Sequence, residues 1–287
     1  MGLQFPTLQA IKTLFPPDTT MRPAVTICLV PQAAKGPFVF HTDLAEGCAR
    51  AKAAGFTAVE IFAPSPEALA ESLLRPILHH HGLSLAAVGT GAGWVVHKLS
   101  LVSADAAVRA KALEFIKGII AAGAKFNAPA ILGSMQGGTT LETDREQAMA
   151  WLGDAVVELG AFAQSLGSTF LLEPLNRYET VMLRTLGDAA ELIRSRKIIG
   201  CKILADLFHM NIEERSIEDA LRHHGPLLIG HVHWADSNRQ AMGFGHTPTA
   251  PITQALRDIG FQGYCSAEVF PLPDSDGAAH QTVKSLT

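Results

Sequence analysis

The chain has 287 residues, a net charge of −4 and a hydrophobic content of 48%. This is the composition of a globular protein with a large core, and it is too apolar for a disordered chain. The acidic balance argues against a nucleic-acid partner, because such proteins usually carry a basic face. Since no apolar run reaches the roughly 20 residues needed to span a bilayer, we expect no membrane partner.

The four cysteines predict a reducing environment. None of Cys28, Cys48, Cys201 and Cys265 belongs to a CxxC pair, and each lies in an apolar run. We therefore expect small core residues rather than disulfides, and a cytoplasmic location follows as the expectation. The N-terminus lacks a basic segment followed by an apolar core, so no secretory signal is expected.

Short β-branched runs alternate with longer helical stretches along the whole chain. We predict strands over 25–29, 58–62, 84–89, 129–132, 169–173, 202–206, 228–234 and 264–269. We predict helices over 43–54, 66–80, 104–122, 145–166, 188–196, 217–223, 250–259 and 278–286. Five glycines follow helical stretches, where a positive φ is expected: Gly55, Gly82, Gly167, Gly225 and Gly260.

Alternating strands and helices predict a parallel sheet with helical crossovers. Eight such units in about 260 residues fit an α/β fold of the (β/α)8 TIM-barrel type. We place this single catalytic domain at 21–287 and regard residues 1–20 as an N-terminal extension. A doubly wound open sheet is the alternative, but its phosphate-binding turn would have to be 89–93, which lacks the GxGxxG spacing.

Four predicted strands in the second half of the chain end in residues that commonly bind metals. These residues are Glu173, Asp206, His233 and Glu268, separated by 33, 27 and 35 residues. One strand–helix unit of a 250-residue barrel is about 31 residues long, so the four recur once per unit. The carboxyl ends of barrel strands meet at one mouth, which predicts that these side chains converge.

Three carboxylates and an imidazole around one point would repel one another unless a cation lay between them. Oxygen ligands with a single nitrogen favour Mn²⁺, Mg²⁺ or Co²⁺ over a structural zinc ion. An isolated Glu at a strand end is usually a helix-cap neighbour or an ion-pair partner, but four in register are not explained in that way. The sequence therefore predicts one divalent metal ion, with Mn²⁺ placed first.

The residues around these four positions resemble a known family. The segments are 172–180 (LEPLNRYET), 206–214 (DLFHMNIEE), 231–239 (HVHWADSNR) and 266–273 (SAEVFPLP). They resemble the motifs on strands five to eight of the ketose 3-epimerases, in the sugar isomerase/epimerase (xylose isomerase-like) TIM-barrel superfamily. Within it, the chain looks most similar to the D-tagatose/D-psicose 3-epimerases and the 5-keto-L-gluconate epimerases.

This resemblance implies a metal-dependent epimerase that inverts the carbon next to the ketone of a ketose or keto-sugar acid. It implies that Glu173, Asp206, His233 and Glu268 bind the metal, and that Glu173 and Glu268 form the acid/base pair. An enediolate intermediate would need a base on one face and an acid on the other. Resembling enzymes form dimers or tetramers, so a homo-oligomer is expected.

The resemblance also implies contacts to the sugar. His209 and Arg239 would hold substrate oxygens near the carbonyl, and Glu179 would bind a hydroxyl or orient His209. His231 lies two residues before His233 on the same strand face, so it is predicted to support that ligand. Trp94 is a candidate for either a pocket wall or a core position. The chain departs from the family pattern at 247–249, which leaves the substrate open.

Four other functions remain as alternatives. An aldose–ketose or hydroxypyruvate-type isomerase shares the fold and the enediolate, although resembling isomerases tend to have Gln at the position of His233. A dehydratase acting on a cyclic keto-polyol is the second alternative, and a non-catalytic sugar-binding barrel is another. An endonuclease of abasic DNA would need three metal sites and a basic face, for which the sequence gives no support.

Overall fold

The computed structural model describes residues 21–225 and 227–287, so the predicted extension at 1–20 lies outside the described residues. Eight parallel strands form a closed barrel in sequence order, with β8 paired to β1. They are β1 Arg22–Cys28, β2 Ala58–Phe62, β3 Ser84–Gly89, β4 Ala130–Leu132, β5 Phe170–Leu172, β6 Cys201–Asp206, β7 Ile229–His233 and β8 Tyr264–Ala267. The predicted (β/α)8 barrel is confirmed.

Helices follow the strands and surround the barrel. They span Leu44–Ala54, Glu71–His81, Ala92–Val95, Ala106–Ala124, Arg145–Ser165, Leu186–Ser195, Leu207–Glu213, Ile217–His224, Thr249–Asp258 and Ser275–Leu286. Eight of them correspond to the predicted helices, with ends that differ by a few residues. The short helices after β3 and β6 were not predicted, because neither is long enough to show a helical hydrophobic period.

Short side chains that carry an oxygen acceptor fix where several helices begin. Asp43 accepts a hydrogen bond from the backbone N–H of Glu46, and Asp144 accepts one from that of Gln147. Each such cap accepts a hydrogen bond from an N–H group that has no partner within the helix, and it stabilises the protein by about 1 kcal/mol. The caps therefore define the point at which each loop from the mouth of the barrel turns into its helix.

Four of the five glycines predicted to adopt a positive φ do so, with φ between 60° and 99°. The prediction for Gly225 is wrong: its φ is −70°, and Leu227 instead adopts a φ of 68°. Gly225 is required by space rather than by backbone conformation, because an added Cβ would collide with the carbonyl oxygen of Leu221. The turn after this helix therefore differs from the left-handed glycine turns of the other units.

The barrel interior and the shell beneath the helices form a continuous apolar core. All four cysteines are buried and unpaired, as predicted from their apolar surroundings. Within the described residues, no helix combines the length and the apolar character that crossing a membrane requires. The core holds the carboxyl ends of the eight strands in fixed positions around one mouth.

Candidate metal centre at the carboxyl ends of the strands

The four predicted metal ligands converge at the mouth of the barrel. Nδ1 of His233 lies 3.3 Å from Oε1 of Glu173, 3.2 Å from Oδ2 of Asp206 and 3.4 Å from Oε2 of Glu268. One potential ligand atom from each residue lies within 4.8 Å of those of the other three. Glu173, Asp206 and His233 are buried and the Glu268 side chain is only 15% exposed, so the cluster is a compact donor set rather than a group of surface charges.

Backbone hydrogen bonds hold Glu173 at the end of β5. Its N–H donates to the carbonyl oxygen of Leu132 on β4, at 2.9 Å. Its own carbonyl oxygen accepts a hydrogen bond from the buried side chain of Gln136, at 2.8 Å. Because both backbone groups of Glu173 are bonded to β4 or to the loop after it, the carboxylate is directed into the mouth.

Asp206 serves two purposes at the junction between β6 and the following helix. Its Oδ1 caps that helix, accepting hydrogen bonds from the N–H groups of Phe208 and His209. Its Oδ2 remains free to face the cluster and lies 3.2 Å from His233. The unpredicted helix Leu207–Glu213 thus fixes the orientation of one candidate ligand and presents His209 from its first turn.

His233 is held from the opposite side by Glu60, a residue that sequence reasoning did not identify. Nε2 of His233 lies 3.1 Å from Oε1 of Glu60, and Nε2 of His231 lies 2.8 Å from Oε2 of Glu60. The prediction that His231 supports the metal ligand agrees with this arrangement. Glu60 lies in the middle of β2 between two buried apolar residues, and that position was the available signal.

Arg239 enters the site from the loop that follows β7. Its guanidinium bonds Glu268, lies near Asp206 and stacks over the ring of Phe208, with Cζ 4.7 Å from the ring centroid. Its backbone has a φ of 57°, a conformation that is unfavourable for a residue other than glycine. The backbone N–H of Arg239 donates to the backbone carbonyl oxygen of Asp236, and the N–H of Phe270 donates to the carbonyl oxygen of Arg239.

Asp236 shapes the loop that carries Arg239. Its carboxylate accepts hydrogen bonds from four backbone N–H groups, those of Ser237, Gly243, Gly245 and Thr247. These bonds outweigh burial and lower the pKa of Asp236 to about 2. Asp236 is therefore charged at neutral pH and ties both ends of the loop together.

His209 lies close to both Glu179 and Arg239. Nδ1 of His209 lies 2.8 Å from the side-chain amide of Asn176, and Nε2 lies 3.2 Å from Arg239. The same amide donates to Glu179 at 2.9 Å, so Asn176 connects the two predicted substrate contacts. Burial lowers the pKa of His209 to about 3, which makes a neutral imidazole its working form.

The three carboxyl groups of the cluster differ in pKa. Burial raises the pKa of Glu268 to about 8 and also raises the pKa of Glu173. Burial alone would raise the pKa of Asp206 as well, but His209 and Arg239 lower it below its ordinary value. Asp206 is therefore a permanent anion, whereas Glu173 and Glu268 can both hold a proton in the absence of other positive charge.

The cluster has the properties of a cation site. Burial alone would lower the pKa of His233, yet Glu60 and Glu268 raise it well above the ordinary histidine range, so the surroundings favour positive charge. Oε1 of Glu173 is buried and makes no hydrogen bond within the described part of the chain. Three carboxylates and one imidazole nitrogen suit a divalent ion of the Mn²⁺ or Mg²⁺ type. The residues present therefore fit the predicted metal.

A cavity of about 450 Å³ opens above the cluster. Glu173, Glu179, His209, His233, Arg239 and Glu268 line it on one side. Its opposite wall comes from the first half of the barrel and is largely apolar, with Phe38 and Phe62 in ring contact at 4.7 Å. The volume is in the range of sites for small organic ligands.

Trp94 occupies neither of the positions considered from the sequence. It is 40% exposed, so it is not a core residue, and it does not line the cavity above the cluster. It lines a neighbouring cavity of about 380 Å³, which shares Glu179 with the first. The short helix Ala92–Val95 instead places Val95 against the cluster cavity.

Comparison with known proteins identifies the family. A family model for the xylose isomerase-like TIM barrel matches residues 48–286. The chain belongs to the xylose isomerase-like TIM-barrel family. Curated relatives named D-psicose 3-epimerase and L-ribulose 3-epimerase confirm the resemblance stated from the four strand-end segments.

Two curated relatives carry the names of sugar epimerases. The chain is 36% identical to D-psicose 3-epimerase of Agrobacterium fabrum over 177 residues, 60% of each chain. It is 37% identical to 3-dehydro-D-guloside 4-epimerase of Escherichia coli over 125 residues, 44% of this chain and 46% of the relative. The aligned regions thus span about half to three fifths of these relatives.

A solved structure extends the likeness to the whole barrel. The crystal structure of 3-keto-D-glucoside 4-epimerase from E. coli superposes with a TM-score of 0.76 at 25% identity. The superposition covers 93% of this chain and 98% of that structure. The similarity of fold therefore continues through the parts that the sequence alignments do not cover.

Proposed function

We propose that this protein is a metal-dependent carbohydrate epimerase that inverts the carbon next to the ketone of a ketose or keto-sugar acid. One divalent ion, with Mn²⁺ favoured, would be held by Glu173, Asp206, His233 and Glu268. When bound, the ion supplies positive charge that stabilises the oxyanion of an enediolate. The proposal takes the substrate to be a small sugar bound in the cavity above the cluster.

The observation that carries the proposal is the pair of buried carboxyl groups, Glu173 and Glu268, in one donor cluster. They come from β5 and β8, which are separated in the barrel by β6 and β7, so they approach the centre from different directions. Inversion of a carbon requires proton removal on one face and proton return on the other. One carboxylate would take the proton from the substrate carbon, and the other would deliver a proton to the opposite face.

The remaining polar groups would hold the substrate during this exchange. Arg239 is close to Glu268 and His209, so it could donate to the substrate oxygen on which charge develops. A neutral His209 would contact a second oxygen, and Glu179 would bind a hydroxyl at the cavity edge. The apolar wall with Phe38 and Phe62 would exclude water from the reacting carbon.

The names of the relatives share one kind of chemistry. A 3-epimerase acting on a 2-ketose and a 4-epimerase acting on a 3-keto sugar both invert the carbon beside a ketone. This common step favours epimerisation over aldose–ketose isomerisation, in which the carbonyl itself moves along the chain. It leaves open whether the natural substrate is a free ketose or a keto-sugar derivative.

The decisive experiment is solvent exchange in D₂O. The Mn²⁺-loaded protein would be incubated separately with D-fructose, D-tagatose, L-ribulose and a 3-keto-glucoside, and products would be analysed by NMR. We expect deuterium at the carbon next to the ketone together with the epimer of at least one substrate. Deuterium only at C1 of a ketose, with formation of an aldose, would instead indicate an isomerase.

Two variants provide the controls. Glu268→Gln should lose the exchange while keeping the thermal unfolding profile of a folded barrel. Glu191→Gln makes the same chemical change at an exposed position on helix Leu186–Ser195 and should keep wild-type exchange. Exchange that is unchanged in Glu268→Gln, or absent for every substrate in the wild type, would refute the proposal.

Assembly and location remain predictions. A homo-oligomer, either a dimer or a tetramer, is expected from the family resemblance, and light scattering of the purified chain measures it directly. The cytoplasmic location rests on the four unpaired cysteines, and fractionation of the producing cell tests it.

A further inference from the structure

Glu60 is a buried acid that the proposed reaction does not use. It is 4% exposed and lies in the middle of β2, on the side of the barrel opposite to the strands that carry the candidate metal ligands. An ionised carboxylate in such a position is unfavourable unless it is fully paired. Its presence in an apolar strand therefore requires a specific partner.

Both oxygens of Glu60 face imidazoles from β7. Oε2 lies 2.8 Å from Nε2 of His231, and Oε1 lies 3.1 Å from Nε2 of His233. The two histidines are separated by one residue, so their side chains leave the strand on the same face. A single carboxylate thus bridges two rings whose centroids are 5.7 Å apart.

The contact to His233 has a chemical consequence. A carboxylate accepts hydrogen bonds, so Nε2 of His233 must carry the proton that it donates to Glu60. In the neutral ring, Nδ1 then has a free lone pair, and Nδ1 is the atom that faces Glu173, Asp206 and Glu268. Glu60 therefore selects the tautomer and the ring orientation that metal binding requires.

We propose that Glu60, held in place by His231, positions His233 so that its Nδ1 binds the metal ion, and thereby sets the metal affinity of the site. This inference rests on the proposed metal centre and adds two positioning residues, Glu60 and His231, that act on the ion through His233. Removing a carboxylate that accepts a hydrogen bond from a metal-bound histidine typically weakens metal binding by 10- to 100-fold. His231 contributes by holding the second oxygen of Glu60.

The same three residues could also be regarded as ligands of a second ion, since Glu60, His231 and His233 lie close together. Their separations of 2.8 and 3.1 Å are those of direct hydrogen bonds between the side chains. A second ion there would need the lone pair of Nε2 of His233, whereas a neutral imidazole has only one nitrogen lone pair, and Nδ1 already faces the first site. We therefore expect one ion per chain, and the stoichiometry of binding separates the two arrangements.

The test is calorimetric titration of metal-free protein with Mn²⁺. Glu60→Gln keeps the shape of the side chain, but its amide has one acceptor oxygen and cannot accept from both histidines. We expect its Kd for Mn²⁺ to rise 10- to 100-fold with a stoichiometry of one. His231→Gln leaves the Glu60–His233 contact in place and should raise the Kd by less than tenfold.

A matched control separates metal affinity from general stability. Val59→Ala alters the neighbouring buried residue of β2, whose side chain points away from Glu60. It should lower the melting temperature of the metal-free protein without changing the Kd for Mn²⁺. The visible spectrum of the Co²⁺-loaded protein gives a second readout, which should change in Glu60→Gln and stay the same in Val59→Ala.

The outcomes distinguish this inference from the proposed function. A wild-type Kd in Glu60→Gln overturns the positioning role while leaving the metal centre intact. Two ions per wild-type chain would also overturn it, because Glu60 would then be a ligand. If wild-type protein binds no Mn²⁺, the proposed metal centre fails as well. Should Glu60→Gln fail to fold, an unchanged Kd in His231→Gln together with an unchanged Co²⁺ spectrum overturns the positioning role.

Discussion

The two halves of this barrel have the same architecture and different chemistry. Strands β5 to β8 are each followed by, or end in, a metal-ligand type of residue, and these four side chains meet at one point. The ends of strands β1 to β4 and the segments that follow them supply instead an apolar wall, which includes Phe38, Phe62 and Val95. The second half would thus provide the reacting groups, and the first half a shaped, water-poor surface.

Glu60 is the exception that makes the comparison informative. It is an acidic residue of the first half that contacts the cluster, and it does so by bonding His233 rather than by joining the ligand set. The residues that would bind the ion and the residue that positions one of them therefore lie on opposite sides of the barrel axis. Substitutions in the two halves should therefore have different effects.

The largest effect is expected in the second half. Removing the charge of one member of the acid/base pair, in Glu173→Gln or Glu268→Gln, should lower kcat by about 10²–10⁴-fold, because proton transfer and a metal ligand are lost together. Steady-state kinetics with the best substrate of the exchange panel measures this effect. A loss of less than tenfold would show that the second half does not carry the chemistry in this way.

An intermediate effect is expected at the loop that holds Arg239. In Asp236→Asn, the side-chain NH₂ replaces one carboxylate oxygen, so two of the four backbone N–H groups lose their acceptor. Each unpaired N–H group costs about 1–3 kcal/mol. We expect kcat/KM to fall roughly 10- to 100-fold through displacement of Arg239. Mn²⁺ affinity should stay near wild type. Asp219→Asn, at an exposed position of helix Ile217–His224, is the matched change and should have no effect on kcat/KM.

A smaller effect is expected in the first half. Phe62→Ala removes a ring from the apolar wall and its contact with Phe38. Loss of apolar contact with the substrate should raise KM by up to about tenfold, with kcat and Mn²⁺ affinity little changed. If kcat instead fell as far as in the Glu268→Gln variant, the two halves would not have separate roles.

The smallest effect concerns the stability of the metal-free protein. The folded-state pKa of Glu268 is about 8, above its unfolded value, so between about pH 5 and 8 the folded chain binds more protons than the unfolded chain. Its unfolding free energy should therefore fall as pH rises through this window, by up to about 1.4 kcal/mol per pH unit for each retained proton. The raised pKa values of Glu173 and His233 act in the same direction.

Added Mn²⁺ should reverse this trend, because the ion replaces the protons and binds more tightly as they leave. Melting temperatures measured with and without Mn²⁺ should therefore diverge as the pH increases from 5 to 8. A constant difference across this range would mean that the buried carboxyl groups do not take up protons in the metal-free protein.

Much of the fold could be predicted because its signals are periodic. Strand and helix alternate at regular intervals, and glycines such as Gly55 and Gly82 mark the turns with their positive φ. The ligand set was predictable for the same reason, since one residue per unit stands at a strand end. Gly225 shows where this reasoning fails, because a glycine demanded by close packing has the same sequence signature as one demanded by φ.

The remaining parts of the site depend on contacts between residues that are distant in sequence. Glu60 and His231 are 171 positions apart, and only the closed barrel brings them to hydrogen-bond distance. The left-handed backbone of Arg239 depends on the loop that Asp236 closes, which its residue type does not indicate. Such features follow from the three-dimensional arrangement and have no local pattern in the chain.

The central claim is that one ion binds where the second half of the barrel converges, on the Nδ1 side of His233. Anomalous diffraction at the manganese edge from crystals soaked in Mn²⁺ tests it most directly. The account predicts a single peak within coordination distance of Glu173, Asp206, His233 and Glu268, with Glu60 still bonded to Nε2. A peak between Glu60 and His231, or no peak at the mouth of the barrel, would contradict it.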